Sequence, residues 1–257
     1  MKKAWTKLKA INSKLQEDHI SAYAAKAAFF LMLSLVPIIF LLMTLVRYTP
    51  LTQADVMTAI YNIFPRTISF TMIALVDEVY NQTGTTISIT ILVALWSAGR
   101  GISAISQGLN AIRGLEEARN YFLLRLRSAM YTGIFLLVVI ASLTFLGFGG
   151  KISFLTAVIL VVISIGVYRF LPDEKEDVKH MLPGAIFTAL GWTLSSFLIS
   201  NYMDIFQGFS NLYGSLATII LIMLWLYFCM YVLLLGEEIN ILTIPANMSK
   251  IVKDLNK

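Results

Sequence analysis

The residue in this chain that most invites chemistry is Arg100, set within the apolar stretch TISITILVALWSAGRGISAISQGL (86–109). An arginine placed in hydrocarbon costs at least about 2.5–3.5 kcal/mol on insertion scales, so it persists where it faces water or an acid. On a helical wheel, Trp96, Arg100, Ser103 and Gln107 fall on one face. That face reads as a candidate substrate path, because a guanidinium offers a rigid fork of donors to an anionic group such as phosphate. Snorkelling or a packing salt bridge is the competing reading, and spacing alone does not decide. The candidate acids are Glu237 and Glu238, with Lys26 at the same depth as a further charge partner for them. Asn240 follows Glu237 by three residues and shares its helix face. An acid at that level either relays protons or serves as a structural partner.

Beside the polar face runs a stripe of small residues, Ser97, Gly101, Ala104 and Gly108, within about 40° of one another. Small residues let a second helix approach closely. The far side, Leu95, Ile102, Ile105 and Leu109, is expected to face lipid.

These residues need a membrane framework to position them. Of 257 residues, 58% are hydrophobic and 14% charged, against roughly 25% charged in an ordinary soluble domain. Apolar residues come in long blocks, which excludes a disordered chain, a disulfide-stapled secreted domain and a typical cytosolic enzyme. At about 20 residues per span, the fold class is all-α: a polytopic bundle of six transmembrane helices forming a single membrane domain over 1–257. The spans are predicted at about 25–46, 86–109, 130–148, 153–170, 182–202 and 213–236. Pro37 interrupts the first and predicts a kink. Residues 1–24 predict a basic amphipathic segment at the cytoplasmic surface. Residues 47–85 predict two amphipathic helices parted by Pro65, outside the membrane across one mouth of the bundle.

Orientation follows from the basic residues. With six spans, 16 of the 20 Lys and Arg fall on one side, three on the other, and Arg100 lies within a span. The positive-inside rule then puts both termini in the cytoplasm. Residues 1–25 are too polar for the apolar core of a cleavable signal. The lone Cys229 lies in an apolar block and reads as an inert buried thiol.

Several kinds of chemistry lack their residues. His19 and His180 are far apart, and no His or Cys cluster has metal-ligand spacing. GRGISAISQG lacks the Lys-Ser/Thr ending of a phosphate loop, and neither GxSxG nor HExxH occurs. The run DEKED (173–177) reads as a solvated loop. Basic segments lack interleaved aromatics, so no nucleic-acid partner is expected. No cofactor, no metal and no enzymatic activity are expected.

The segments AAFFLMLSLVPIIFLL, ALWSAGRGISAISQGLNAI, YRFLPD, PGAIFTALGW and YGSLATIILIMLWLYFCMYVLLLGEEIN, in that order and spacing, resemble the YihY/BrkB (UPF0761-type) family of bacterial inner-membrane proteins. The likeness runs from about residue 18 to 243 and implies six spans in the bacterial cytoplasmic membrane. Trp96, Ser97, Gly99, Arg100 and Asn110 fall on the family's second-span pattern, which adds Asn110 to the candidate path. Tyr213, Gly214, Gly236, Glu238 and Asn240 fall on its sixth-span pattern, with Gly214 as a packing position. Where a relative has alanine this chain has Glu237, which leaves two adjacent acids as partners for Arg100.

The resemblance also implies links to virulence and to lipid export, and some members carry the label ribonuclease BN, for which this sequence shows no nuclease site. The expected function is therefore a transporter or translocation factor for a lipidic or small anionic substrate. A non-catalytic scaffold for envelope machinery is the alternative, and a ribonuclease the third. Expected partners are membrane lipids, an anionic lipid as candidate substrate, and further copies of the chain, since small-residue stripes serve contacts between protomers as well as within one.

Overall fold

The computed structural model describes residues 18–46, 52–63, 66–80, 87–115, 152–174, 176–205 and 215–243. Among them every regular element is an α-helix: α1 (Ile20–Val46), α2 (Gln53–Ile63), α3 (Arg66–Tyr80), α4 (Ile87–Ile112), α5 (Ile152–Phe170), α6 (Val178–Ile205) and α7 (Ser215–Thr243). The amphipathic segment up to residue 17, the span predicted at 130–148 and Gly214 lie outside the described residues.

Among the described residues, two stretches are long and apolar enough to cross a membrane, Val178–Ile199 in α6 and Ile219–Thr243 in α7. Ile20–Leu35, Ile68–Asp77 and Val158–Phe170 are shorter apolar stretches. The outward faces match a lipid surround. Leu182, Ile186, Leu190, Leu194 and Phe197 recur at helical spacing along α6 and are all exposed, as are Ile219, Ile220, Met223, Leu224 and Phe228 on α7. Soluble monomers rarely carry contiguous apolar patches on that scale, because water penalises them.

Helix association in lipid gains little from the hydrophobic effect and relies on close packing and interhelical hydrogen bonds. The sequence provides both. α1 packs chiefly on α4, where Ala24, Ala27 and Ala28 are fully buried along with Ala104. A Cβ on Gly101 would stand 3.0 Å from the Leu31 side chain, and one on Gly108 would stand 3.0 Å from Tyr23 and Leu234. The small-residue stripe of α4 thus faces α1 and α7. α6 packs on α7 and on α5. The indole N–H of Trp192 donates to the Cys229 carbonyl at 2.6 Å, and that of Trp225 donates to Ser196 Oγ at 3.2 Å. Cys229 is buried with a free thiol.

α2 and α3 pack on each other, and α3 also meets α1, α6 and α7. Ile68, Met72 and Val76, each four residues from the next, form its buried edge. α2 begins with a capping box. Thr52 Oγ1 accepts from the Asp55 N–H at 3.3 Å, while Asp55 Oδ2 accepts from the Thr52 N–H at 2.7 Å.

Two features of the sequence reading change. Ile105 and Leu109 of α4 are buried in the helix core, not turned to lipid, because α4 meets α7 as well as α1 and so has partners on more than one face. α7 runs on to Thr243, past the span end expected at about 236, so Glu237, Glu238 and Asn240 lie within its helical body. Pro37 lies inside α1, which runs from Ile20 to Val46.

Candidate functional site

Among the described residues two polar clusters bear on the expected site, and the more tightly built is at the C-terminal end of α4. Gly114 takes φ +69°, the left-handed conformation that glycine adopts without cost. Its N–H donates to the Ala111 carbonyl at 2.9 Å, and that of Leu115 donates to Asn110 at 2.9 Å. This is a Schellman closure, and it sets Arg113 as the capping residue, where a cation also suits the helix dipole.

From that position Arg113 reaches three further elements. Its Nε donates to Glu237 Oε1 at 2.7 Å, and its Nη2 lies 2.7 Å from the same oxygen. Nη2 also donates to the Tyr168 carbonyl at 2.9 Å, and Nη1 donates to the Glu174 carbonyl. One guanidinium therefore ties α4 to α7, to the end of α5 and to the loop after it. The pair is buried, with side-chain exposures of 5% for Arg113 and 1% for Glu237. A buried ion pair is tolerable only when its remaining donors and acceptors are met, and here they are. Asn240 Nδ2 donates to the second oxygen, Glu237 Oε2, at 3.0 Å.

The same end is tied further. Asn110 Nδ2 donates to Asp173 Oδ2 at 2.8 Å, and Asn110 Oδ1 accepts from the Asp173 N–H at 3.0 Å. Ser106 Oγ donates to the Leu171 carbonyl at 2.8 Å. On the α6–α7 side, Asn240 Oδ1 accepts from the Gly184 N–H at 2.7 Å. The Tyr168 hydroxyl donates to the Leu233 carbonyl at 2.7 Å and lies 2.6 Å from Thr188 Oγ1. These contacts need glycine at two positions. A Cβ on Gly184 would overlap the Gly236 carbonyl, and one on Gly236 would overlap the Tyr168 and Thr188 hydroxyls.

The second place is the seam between α1 and α4. The Arg100 guanidinium carbon stands 4.2 Å from the Trp96 ring centre and 5.3 Å from that of Phe30, a cation–π arrangement. Two turns along α4, Gln107 Oε1 accepts from Lys26 Nζ at 2.5 Å. Arg100, Ser103 and Gln107 are half-buried, while Trp96 is 52% exposed. Among the described residues no carboxylate engages Arg100 or Lys26.

The expected pairing is thus corrected. Glu237 is engaged by Arg113, and Arg100 is held by aromatic rings. Thirteen residues part the two arginines, about 20 Å along a helix at 1.5 Å per residue, beyond the span of a side chain. Lys26 meets Gln107, an amide, and not an acid. Asn110 is 4% exposed and clamps a loop, so it stands apart from the Trp96–Gln107 face. Glu238 is 2% exposed within α7. The sequence reading missed Arg113, Tyr168, Thr188 and Gly184 as members of a polar cluster. The signal for Arg113 was Gly114, a helix-stop residue just after it. Among the described residues, no group of three or more His, Cys, Asp and Glu side chains is placed to hold a metal ion.

Among the described residues every regular element is helical, two stretches are long and apolar enough to cross a membrane, and apolar side chains line their outward faces, which is the build of a helical membrane protein. The chain belongs to the family described as virulence factor BrkB, whose profile matches residues 11–253. It is 30% identical over 262 residues to the ribonuclease-like protein YfkH of Bacillus subtilis, covering 91% of this chain and 94% of YfkH. It is 22% identical over 255 residues to a UPF0761 membrane protein of Aliivibrio fischeri strain MJ11, covering 92% and 82% of the two chains. A UPF0761 membrane protein of Aliivibrio salmonicida is 22% identical over 256 residues, with 92% and 83% covered. No solved structure matches the chain.

Proposed function

We propose that this chain is a six-span protein of the bacterial cytoplasmic membrane, with both termini inside, that moves or helps move a lipidic or small anionic substrate. The observation that carries the reading is Arg100: a half-buried guanidinium on the α1–α4 seam, stacked on Trp96 and Phe30 and engaged by no described carboxylate. Stacking occupies the faces of a guanidinium and leaves its N–H edge for an anion. Ser103 and Gln107 continue that face toward the α4 C-terminus. Arg113, Glu237 and Asn240 close the inner end of the bundle, and α2 with α3 covers the outer mouth. In this reading the chain is not an enzyme, and the ribonuclease in the name of YfkH stays with that protein.

The test is transbilayer movement of a labelled anionic phospholipid in liposomes holding wild type or Arg100→Ala at matched folding. Movement with wild type that is lost in the variant supports the reading. Equal movement with both removes Arg100 from the path.

A scaffold is the second reading, favoured by the consumption of nearly every buried polar group at the inner end in helix contacts. Cysteines at Ser103 and Gln107 separate the two. Transport predicts that a small polar thiol reagent labels both, and a scaffold predicts that neither reacts.

A further inference from the structure

Resting on the reading of Arg100 as an anion-holding residue, we propose that Lys26 is a second such residue on the same seam, and that the anion is the phosphate headgroup of a membrane lipid entering from the side. The two cations are aligned. Lys26 precedes Phe30 by one helical turn on α1, and Phe30 lies against Arg100. On α4, Gln107 holds Lys26 two turns from Arg100. At 1.5 Å per residue, the seven residues from Arg100 to Gln107 span about 10 Å, a distance a headgroup crosses in one or two steps.

The charge on Lys26 is not neutralised by the contact that positions it. Gln107 accepts one hydrogen bond through a neutral oxygen, and an ammonium has three donors. Two donors and the whole positive charge remain for a phosphate oxygen. Arg100 keeps its charge for the same reason, since its described contacts are ring faces. Two cations along one seam, Arg100 half-buried and Lys26 exposed, form a ladder for a phosphate, and Gln107 acts as the positioning residue for the lower rung.

The seam favours a lipid over a dissolved ion because its walls are apolar and exposed. Phe29 is 46% and Leu33 52% exposed on α1, beside Lys26 and Phe30, and Trp96 is exposed on α4. A small hydrated anion gains nothing from such walls. An acyl chain lies against Phe29 and Leu33 while its phosphate meets the cations, which is the amphiphilic match of apolar body and charged head.

The experiment uses the full chain purified in a neutral detergent, with binding read by native mass spectrometry. The probes are phosphatidylglycerol, phosphatidylcholine and inorganic phosphate, against wild type, Lys26→Gln, Arg100→Gln, Gln107→Leu and Gln107→Glu. A thermal unfolding midpoint for each variant verifies folding, which Lys26→Gln should keep because Lys26 is exposed. Phosphatidylglycerol should bind wild type, and each charge removal should weaken it about tenfold. Gln107→Leu should weaken it less, and Gln107→Glu, which neutralises Lys26, should weaken it as much as Lys26→Gln. Wild-type affinity in Lys26→Gln with loss in Arg100→Gln overturns the role of Lys26 and leaves the Arg100 reading standing. Wild-type affinity in both overturns both. Inorganic phosphate that displaces the lipid at equal concentration overturns the lipid commitment in favour of a dissolved anion.

Discussion

Arg113 and Glu237 stand 124 residues apart in sequence and meet at a single carboxylate oxygen, approached by Nε and Nη2 at 2.7 Å each. The contact joins the end of α4 to α7 and leaves the second oxygen of Glu237 to Asn240. Glu237, one of the two acids expected beside Arg100, is thus engaged by an arginine thirteen residues further on, at the end of α4.

Removal of one side of this pair should be severe. Arg113→Ala leaves a buried carboxylate without its cation, and the expected loss is about 3–5 kcal/mol. Arg113→Lys should recover only part of it, since one ammonium cannot reach Glu237, the Tyr168 carbonyl and the Glu174 carbonyl together. The double variant Arg113→Met with Glu237→Met should be closer to wild type than either single change. Unfolding of the purified protein in detergent by chemical denaturant checks the order.

Glycine replacements should separate close approach from mere helical glycine. Gly184→Ala and Gly236→Ala place a methyl on backbone or hydroxyl oxygens across the α6–α7 contact, and each should cost about 1–3 kcal/mol or more. Gly166→Ala meets nothing within 4 Å and should be neutral or gain up to about 1 kcal/mol from helix propensity. Thermal midpoints of the three variants, measured side by side, decide the matter.

Asn110 should behave as a clamp. Asn110→Ala removes both bonds to Asp173, so the loop at 171–174 should exchange its amide hydrogens faster while α1 and α4 keep their protection. Lipid movement, if Asn110 is only a clamp, should fall no further than stability does. A large loss of movement at unchanged exchange rates would return Asn110 to the substrate path.

The start of α2 should respond to acid. Hydrogen bonds from the Thr52 hydroxyl and backbone N–H hold the Asp55 carboxyl below its ordinary value of 3.8. A depressed value in the folded state means that the charged form favours folding. The contribution is present above 3.8 and is lost as pH falls through the lower, folded value. Protection of the amides at the first turn of α2, taken relative to their intrinsic exchange, should therefore fall below about pH 4, and Asp55→Asn should remove that dependence.

The helices were readable because their cause is local. Blocks such as LIMLWLYFCMYVLLL need only composition to declare a helix, and α1, α4, α5, α6 and α7 are helical where such blocks were read near 25–46, 86–109, 153–170, 182–202 and 213–236; among the described residues, α6 and α7 hold the stretches of membrane length. The stripe Ser97–Gly101–Ala104–Gly108 was readable for the same reason, since its periodicity is written in one helix. The burial of Ile105 and Leu109 was not, because it depends on how many neighbours α4 has, and a helical wheel holds no information on that.

The sequence by itself determined that the chain is a helical membrane protein, which residues lie on one face of each helix, and that an arginine sits within an apolar stretch. Only the tertiary structure decided which arginine meets which acid. A side chain reaches a few ångströms, while each residue moves a helix by 1.5 Å along its axis and about 100° around it. Partners on different helices are therefore fixed by relative depth and rotation, which arise from packing such as that of Gly108 on Tyr23 and Leu234 and of Gly184 on Gly236. That packing set Arg113 opposite Glu237 and left Arg100 against Trp96 and Phe30.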